Sequence, residues 1–130
     1  HQATALKIAE WLQGRPEVKV VLYPALPTFP RHALWKRDFT GANGLISIVL
    51  HEASRRALAA MLDSLTLFAM GYSWGGFESL IIPFDPKQSR TATAWMEQGP
   101  CLRLHCGLEN PDDLIGDLER GFARLQSAAG

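Results

Sequence analysis

Cysteine is almost absent from this 130-residue chain: Cys101 and Cys106 are the only two. A disulfide framework is not expected from so small a number. A structural zinc site needs four ligands at tighter paired spacing, so it does not fit either, although His105 stands beside Cys106. The expectation is two reduced thiols in a cytoplasmic protein. An excess of either charge is also missing. Lys plus Arg and Asp plus Glu number 13 each, so no global field draws the chain to nucleic acid or to an anionic membrane. No apolar stretch approaches the ~20 residues of a membrane span, and the polar opening lacks the long apolar core of a secretory leader. Several catalytic signatures are missing as well. There is no G-x-S-x-G elbow and no glycine-rich phosphate loop, and the acids are scattered with no pair proposed for acid/base work. His51-Glu52 begins like a zinc-binding helix but has no second histidine at the right spacing, which leaves it the polar start of a helix.

The elements that remain suit one domain of this length. Ala5, Ile8, Ala9 and Leu12 fall at i, i+3, i+4 and i+7 and predict a helix, capped by Thr4 and ended at Gly14 before Arg15-Pro16. Val18 to Tyr23 reads as a strand and the three prolines of Pro24–Pro30 as an extended loop. His32–Phe39 suggests a short helix, and Leu45–Leu50 a strand buried on both faces. A helix follows with Leu58, Met61 and Leu62 inward, then a strand near Leu65–Phe68. A further apolar run spans Leu80–Ile82, and Pro83–Lys87 is a loop. Ser89–Gln98 is compatible with a short helix that Thr91 and Thr93 weaken. Cys101–Gly107 is a strand. The clearest helix is the last: Asn110 caps it, Pro111 takes its first position, Asp112 and Asp113 sit at its positive end, and Leu114, Ile115, Leu118, Phe122 and Leu125 form its stripe. This order predicts an α/β (α+β) two-layer sandwich, with helices on one face of a small, mostly antiparallel sheet.

Alternation along the strand Cys101–Gly107 puts Leu102, Leu104 and Cys106 on one face and Cys101, Arg103 and His105 on the other. If the leucines lie under the last helix, Arg103 points away from it. Its planar fork suits a carboxylate or a phosphate, and a surface ion pair with an acid is the simpler alternative. His105 reads as a satisfied inner or surface histidine rather than a ligand or base. A second candidate is the stretch Met70–Leu80, MGYSWGGFESL. Gly75 and Gly76 let backbone approach another group, Ser73 offers a hydroxyl, and Trp74 offers an indole donor with a broad apolar face. The pattern alone does not choose between a loop that touches a small polar ligand and a turn with Trp74 in the core. From the residues alone the chain is an α/β domain with an anion site built from Arg103 and the Ser73–Gly76 loop.

Four stretches carry a resemblance: ALKIAEWLQGRPEVKVVLYPALP, HALWKRDFTGANGLISIVL, LFAMGYSWGGFESLI and LRLHCGLENPDDLIGDLERGF. Together and in this order they resemble the C-terminal domain of the Cys/Met-metabolism family of pyridoxal-phosphate enzymes (fold type I). Trp74 resembles the bacterial cystathionine β-lyase branch, because the related γ-synthases and γ-lyases usually carry leucine there. The resemblance implies that Arg103 grips the substrate α-carboxylate, that Ser73 and Trp74 help hold it, and that Tyr72 and Trp74 line the pocket around the substrate chain. It implies a full-length parent, a homotetramer, that cleaves cystathionine by α,β-elimination to homocysteine, pyruvate and ammonia in methionine biosynthesis. There the cofactor acts as electron sink and the protein positions the substrate.

The family holds its cofactor on a lysine of a large N-terminal domain. Lys7, Lys19, Lys36 and Lys87 are the only lysines here, and none has that serine- and threonine-flanked setting. The expectation is therefore that residues 1–130 are one domain excised from the C-terminal end of a longer enzyme. It would carry no catalytic residue and no cofactor-binding residue, be inactive alone, and be prone to self-associate where the missing domain would cover it. A domain of a related γ-synthase or γ-lyase, a stand-alone binder of small carboxylates, and a purely structural domain with Arg103 in a surface ion pair remain the alternatives.

Overall fold

The computed structural model describes residues 1–129. Helix α1 (Gln2–Gln13) buries Ala5, Ile8, Ala9 and Leu12 completely and stops at Gly14, as their spacing predicts. It starts three residues earlier than expected. The Ala5 N–H already bonds the His1 carbonyl, so Thr4 lies inside the first turn and caps nothing. Strand β1 (Val18–Leu22) follows. The proline-rich connection is folded rather than extended: Leu26, Phe29 and His32 each donate to the carbonyl three residues back, forming consecutive turns that lead into α2 (His32–Asp38). Strand β2 (Leu45–Leu50) buries Ile46, Ile48, Val49 and Leu50. Helix α3 (Arg55–Leu62) begins at Ser54, whose hydroxyl oxygen accepts from the Ala57 N–H at 3.1 Å.

The segment Leu65–Phe68 is not a strand. The backbone N–H groups of Thr66, Leu67 and Phe68 are all taken by the carboxylate of Asp117, so they are lost to any ladder. Only Ala69–Met70 pairs, as the two-residue strand β3. Strand β4 (Leu80–Phe84) runs two residues further than the sequence suggests, through Pro83. At Pro83 the strand is paired on one side only, with Leu102, because β3 reaches no further than Ile81. A residue without an N–H fits such an edge. The expected loop after it begins with a 3₁₀ turn, Pro86–Gln88, and Ser89–Gln98 is irregular rather than helical. Strand β5 (Cys101–His105) and helix α4 (Pro111–Ala129) complete the chain, and Asn110 Oδ1 accepts from the Asp112 N–H at 2.8 Å as its cap.

The five strands lie in the order β1-β2-β5-β4-β3, antiparallel except for the β3/β4 pair. Helices α1, α3 and α4 cover one face and share one core with Ile46, Ile48, Leu50, Ile81, Leu102 and Leu104. This is the two-layer α/β sandwich expected from the sequence. Helix α2 stands apart from that layer. It buries none of its residues and borders the opposite, open face of the sheet.

Candidate functional site

The open face is built by the strand residues of opposite parity. Ser47 of β2, Arg103 of β5 and Ile82 of β4 form one cross-strand row, and Leu45, His105 and Leu80 the next. Because Leu102 and Leu104 are fully buried under the helices, Arg103 and His105 have to face the other way. Both reach the loop that the sequence singled out. Arg103 Nη2 donates to the carbonyl of Tyr72. His105 Nε2 lies 3.2 Å from the backbone N of Gly75 and 3.1 Å from the carbonyl of Gly76. Gly75 has φ +95°, a conformation that an L side chain would strain.

Beyond His105 the exit from that strand, Gly107–Glu109, holds the rest of the loop. The Leu108 N–H donates to the Phe77 carbonyl at 2.8 Å. Glu109 accepts from the Ser79 N–H at 2.9 Å and from its hydroxyl at 2.8 Å, and that hydroxyl oxygen accepts from the Gly107 N–H at 2.8 Å. Burial pushes the Glu109 carboxyl up, but its bonds from Ser79 outweigh this and leave it below the usual carboxylate range. Residues 72–79 are thus shaped by β5 and its exit, although some thirty residues separate the two in sequence.

Tyr72 is 80% exposed and Trp74 56% exposed, and Ser73 is exposed between them. Trp74 is therefore not a core residue, which removes one of the two readings of the motif. Among the described residues neither the Ser73 hydroxyl nor the Trp74 indole has a hydrogen-bond partner. Arg103 is half-buried and in no ion pair among the described residues; its Nε is buried without a partner. Only one of its five N–H donors is in use, the one on Tyr72. A surface ion pair with an acid does not account for this arginine. The structure thus brings Arg103 against the loop's backbone and leaves the side chains of Tyr72, Ser73 and Trp74 free beside it.

Next to Ser47 the open face drops into a groove of about 850 Å³ between α2 and the sheet, walled by Tyr23, Trp35, Phe84 and Trp95, with Arg31 and Arg90 at its edge. Sequence reading missed it because its walls come from separate segments that no spacing rule links. The Arg90 guanidinium lies over the Trp95 ring at 4.9 Å, and Tyr23 donates its hydroxyl to the Asn43 carbonyl at 2.8 Å. Burial pushes the Tyr23 phenol up to about 12, so it stays a neutral donor.

The four lysines do not fit the amine that a pyridoxal-phosphate site requires. Lys7 pairs with Asp112 at 2.6 Å and Lys19 with Glu97 at 2.9 Å, both in solvent. Lys36 and Lys87 are exposed, and no lysine lines the groove. Cys101 and Cys106 are free, buried thiols on opposite sides of the sheet, and burial pushes Cys106 up to about 12. Among the described residues no group of three His, Cys, Asp or Glu side chains is arranged to hold a metal, and no helix is long and apolar enough to cross a membrane.

Fold and site together define a small α/β domain that presents an unpaired arginine and an aromatic loop on one open sheet face. Residues 1–123 match the family described as Cys/Met metabolism PLP-dependent enzyme, and the chain belongs to that family. Among its relatives a cystathionine beta-lyase of Salmonella typhimurium is 52% identical over 129 residues, 96% of this chain and 33% of the relative. An L-alanine/L-glutamate racemase of Wolbachia pipientis is 47% identical over 127 residues, 96% of this chain and 32% of the relative. A solved cystathionine gamma synthase from Xanthomonas oryzae, in complex with cystathionine, superposes with a TM-score of 0.80 at 35% identity, covering 98% of this chain and 34% of that one. The chain spans about a third of the length of the curated relatives it matches.

Proposed function

We propose that this chain is the C-terminal, substrate-carboxylate side of a PLP-dependent carbon–sulfur lyase that cleaves cystathionine by α,β-elimination to homocysteine, pyruvate and ammonia. The observation that carries this reading is Arg103: a half-buried guanidinium with no acid beside it, held by one donor on the Tyr72 carbonyl and with the rest unused. An unpaired guanidinium in that setting is poised for an anion, and a carboxylate takes two of its N–H groups at once. Ser73 and Trp74, free and adjacent, add donors to the same group, and Tyr72 and Trp74 give the substrate chain an apolar wall. This chain binds and orients. PLP, held by the remainder of the parent enzyme, supplies the electron sink, and no lysine here is placed to carry it. The isolated domain is expected to release no pyruvate from cystathionine, and its exposed Tyr72, Trp74 and Phe77 favour self-association.

Arg103→Ala in the full-length enzyme tests the assignment. Losing one partner of a desolvated charge pair costs about 2–5 kcal/mol, so kcat/KM for cystathionine falls roughly thirty- to several-thousand-fold. An analogue without the α-carboxylate should be turned over equally poorly by both enzymes. An unchanged rate with cystathionine would sink the proposal. Tight binding of small carboxylates by the domain alone, below millimolar, would favour a stand-alone receptor instead. A racemase is the second reading, supported by the 47% identity of the Wolbachia relative. Racemisation and elimination both start by removing the α-proton of an amino acid held by its carboxylate, so this domain can serve either. Incubating the parent with L-alanine and with cystathionine separates them.

A further inference from the structure

We infer that His105 is a positioning residue that fixes the Tyr72–Gly76 loop by holding the backbone on either side of its Gly75-Gly76 turn, at the Gly75 N–H or the Gly76 carbonyl. The inference rests on the reading that this loop and Arg103 meet the substrate.

Four observations carry it. The imidazole is 2% exposed, so its geometry is set by the protein and not by solvent. Its Nε2 sits against both Gly75 N and Gly76 O, the groups flanking one turn of the loop, at 3.2 and 3.1 Å. Its ring is seated on Gly44, where an added Cβ would lie 3.2 Å from both Nδ1 and Cε1, closer than nearly all such contacts, so a glycine keeps the seat open. Finally, Nδ1 is buried with no partner, so Nε2 is the only ring nitrogen in use.

A single nitrogen cannot accept and donate at once. With its lone pair free, Nε2 accepts from the Gly75 N–H. Carrying hydrogen, it donates to the Gly76 carbonyl. Either way the histidine reaches only the backbone of the turn, so it controls the loop's course rather than its chemistry. Arg103, two residues earlier on the same face of β5, holds the Tyr72 carbonyl. The two side chains therefore fasten both ends of the segment that carries Ser73 and Trp74, and one strand sets the spacing between the carboxylate grip and the loop that assists it.

The test uses three variants of the full-length enzyme. A glutamine reaches about as far as Nε2 and presents a donor and an acceptor at its tip, an asparagine is too short, and a leucine offers neither. His105→Leu and His105→Asn are expected to raise KM for cystathionine about tenfold, the effect of one lost hydrogen bond, with kcat within about twofold. Amide exchange over residues 72–79 should quicken in both while that over α4 stays as it was. His105→Gln should restore KM and exchange to near the parent values. Parent-like exchange over residues 72–79 in His105→Leu, or a glutamine variant no better than leucine, overturns the inference. Parent-like KM in His105→Leu also overturns it if Arg103→Ala lowers kcat/KM as proposed, and then the carboxylate reading stands. If exchange over the loop quickens but neither His105→Leu nor Arg103→Ala lowers kcat/KM for cystathionine, the latch is upheld and the carboxylate reading is the one that falls.

Discussion

The two faces of the sheet are made by the same strands and do opposite work. On the helix face Ile46, Ile48, Leu102 and Leu104 are fully buried beneath α1, α3 and α4. On the open face the residues between them, Ser47 and Arg103, are only half covered, and the loop beside them exposes Tyr72, Trp74 and Phe77. Strand β5 shows the division most sharply. Its even-numbered residues hold the domain together, and its odd-numbered Arg103 and His105 shape the site. On the proposed reading, stability and function are separated by parity along one strand, and substitutions on the two sides should fail in different ways.

The largest effect is expected on the helix face. Phe122 of α4 is fully buried and stacks near Trp11 with ring centroids 6.1 Å apart. Phe122→Ala should lower stability by about 3–5 kcal/mol through lost burial and the cavity left behind. Urea unfolding would show this as a lower midpoint. A loss below about 1 kcal/mol would mean that the helix layer is far less tightly packed than its burial indicates.

Asp117 comes next. It lies on α4, fully buried, and its carboxylate binds the N–H groups of Thr66, Leu67 and Phe68 and the Thr66 hydroxyl, with Arg120 at 3.1 Å. It pins the segment that leads into β3 and the loop beyond. Asp117→Ala would leave those donors unmatched and should cost about 3 kcal/mol. Asp117→Asn keeps one acceptor oxygen and should cost about half as much by the same reasoning. Equal losses in the two would show that the charge, and not the number of acceptors, is what matters.

Acid should expose the same contacts more gently. Burial pushes Asp117 and Glu109 up, yet their hydrogen bonds bring both below their ordinary carboxyl values. A carboxyl lowered on folding adds stability that is complete above its unfolded value, about 3.9 for Asp and 4.3 for Glu, and is lost as pH falls through the lower folded value. Stability should therefore be level near neutrality and decline below about pH 4. In Glu109→Gln the acid part of that decline should be shallower. A variant that tracks the parent at every pH would show that Glu109 contributes nothing to it.

Much of the helix face was legible in the sequence, because its signals are periodic and local. The 3.6-residue stripe of α1, the Asn110-Pro111 start of α4 and the alternation of β5 each follow from neighbours a few residues apart. The expectations that failed depended on distant partners. Leu65–Phe68 has the composition of a strand, and only a carboxylate some fifty residues away diverts its N–H groups. Pro83 reads as a strand breaker until β3 proves too short to need its missing N–H. The open face was half legible. Arg103 and His105 were placed by alternation and the loop by its glycines. Arg103 and the loop were also joined in one site, but that Arg103 and His105 hold the loop by its backbone was not legible, because those contacts join side chains to backbone about thirty residues apart. Glu109, Ser47 and the groove beside α2 carried no signal that spacing could reveal.

The smallest stability effect should come from Trp74, on the exposed loop of the open face. Trp74 is 56% exposed and has no hydrogen-bond partner among the described residues. Trp74→Ala should change stability by less than about 0.5 kcal/mol, as surface substitutions away from packed features do. If Tyr72 and Trp74 wall the substrate chain, the same substitution in the full-length enzyme should still raise KM for cystathionine, with the unfolding midpoint unmoved. A shifted midpoint would place Trp74 in a packed interface, most directly with the remainder of the parent enzyme, and would turn it from a ligand contact into part of the scaffold. An unmoved midpoint with an unmoved KM would remove it from both faces of the comparison and leave the proposed substrate contacts of the open face to Arg103, Ser73 and Tyr72.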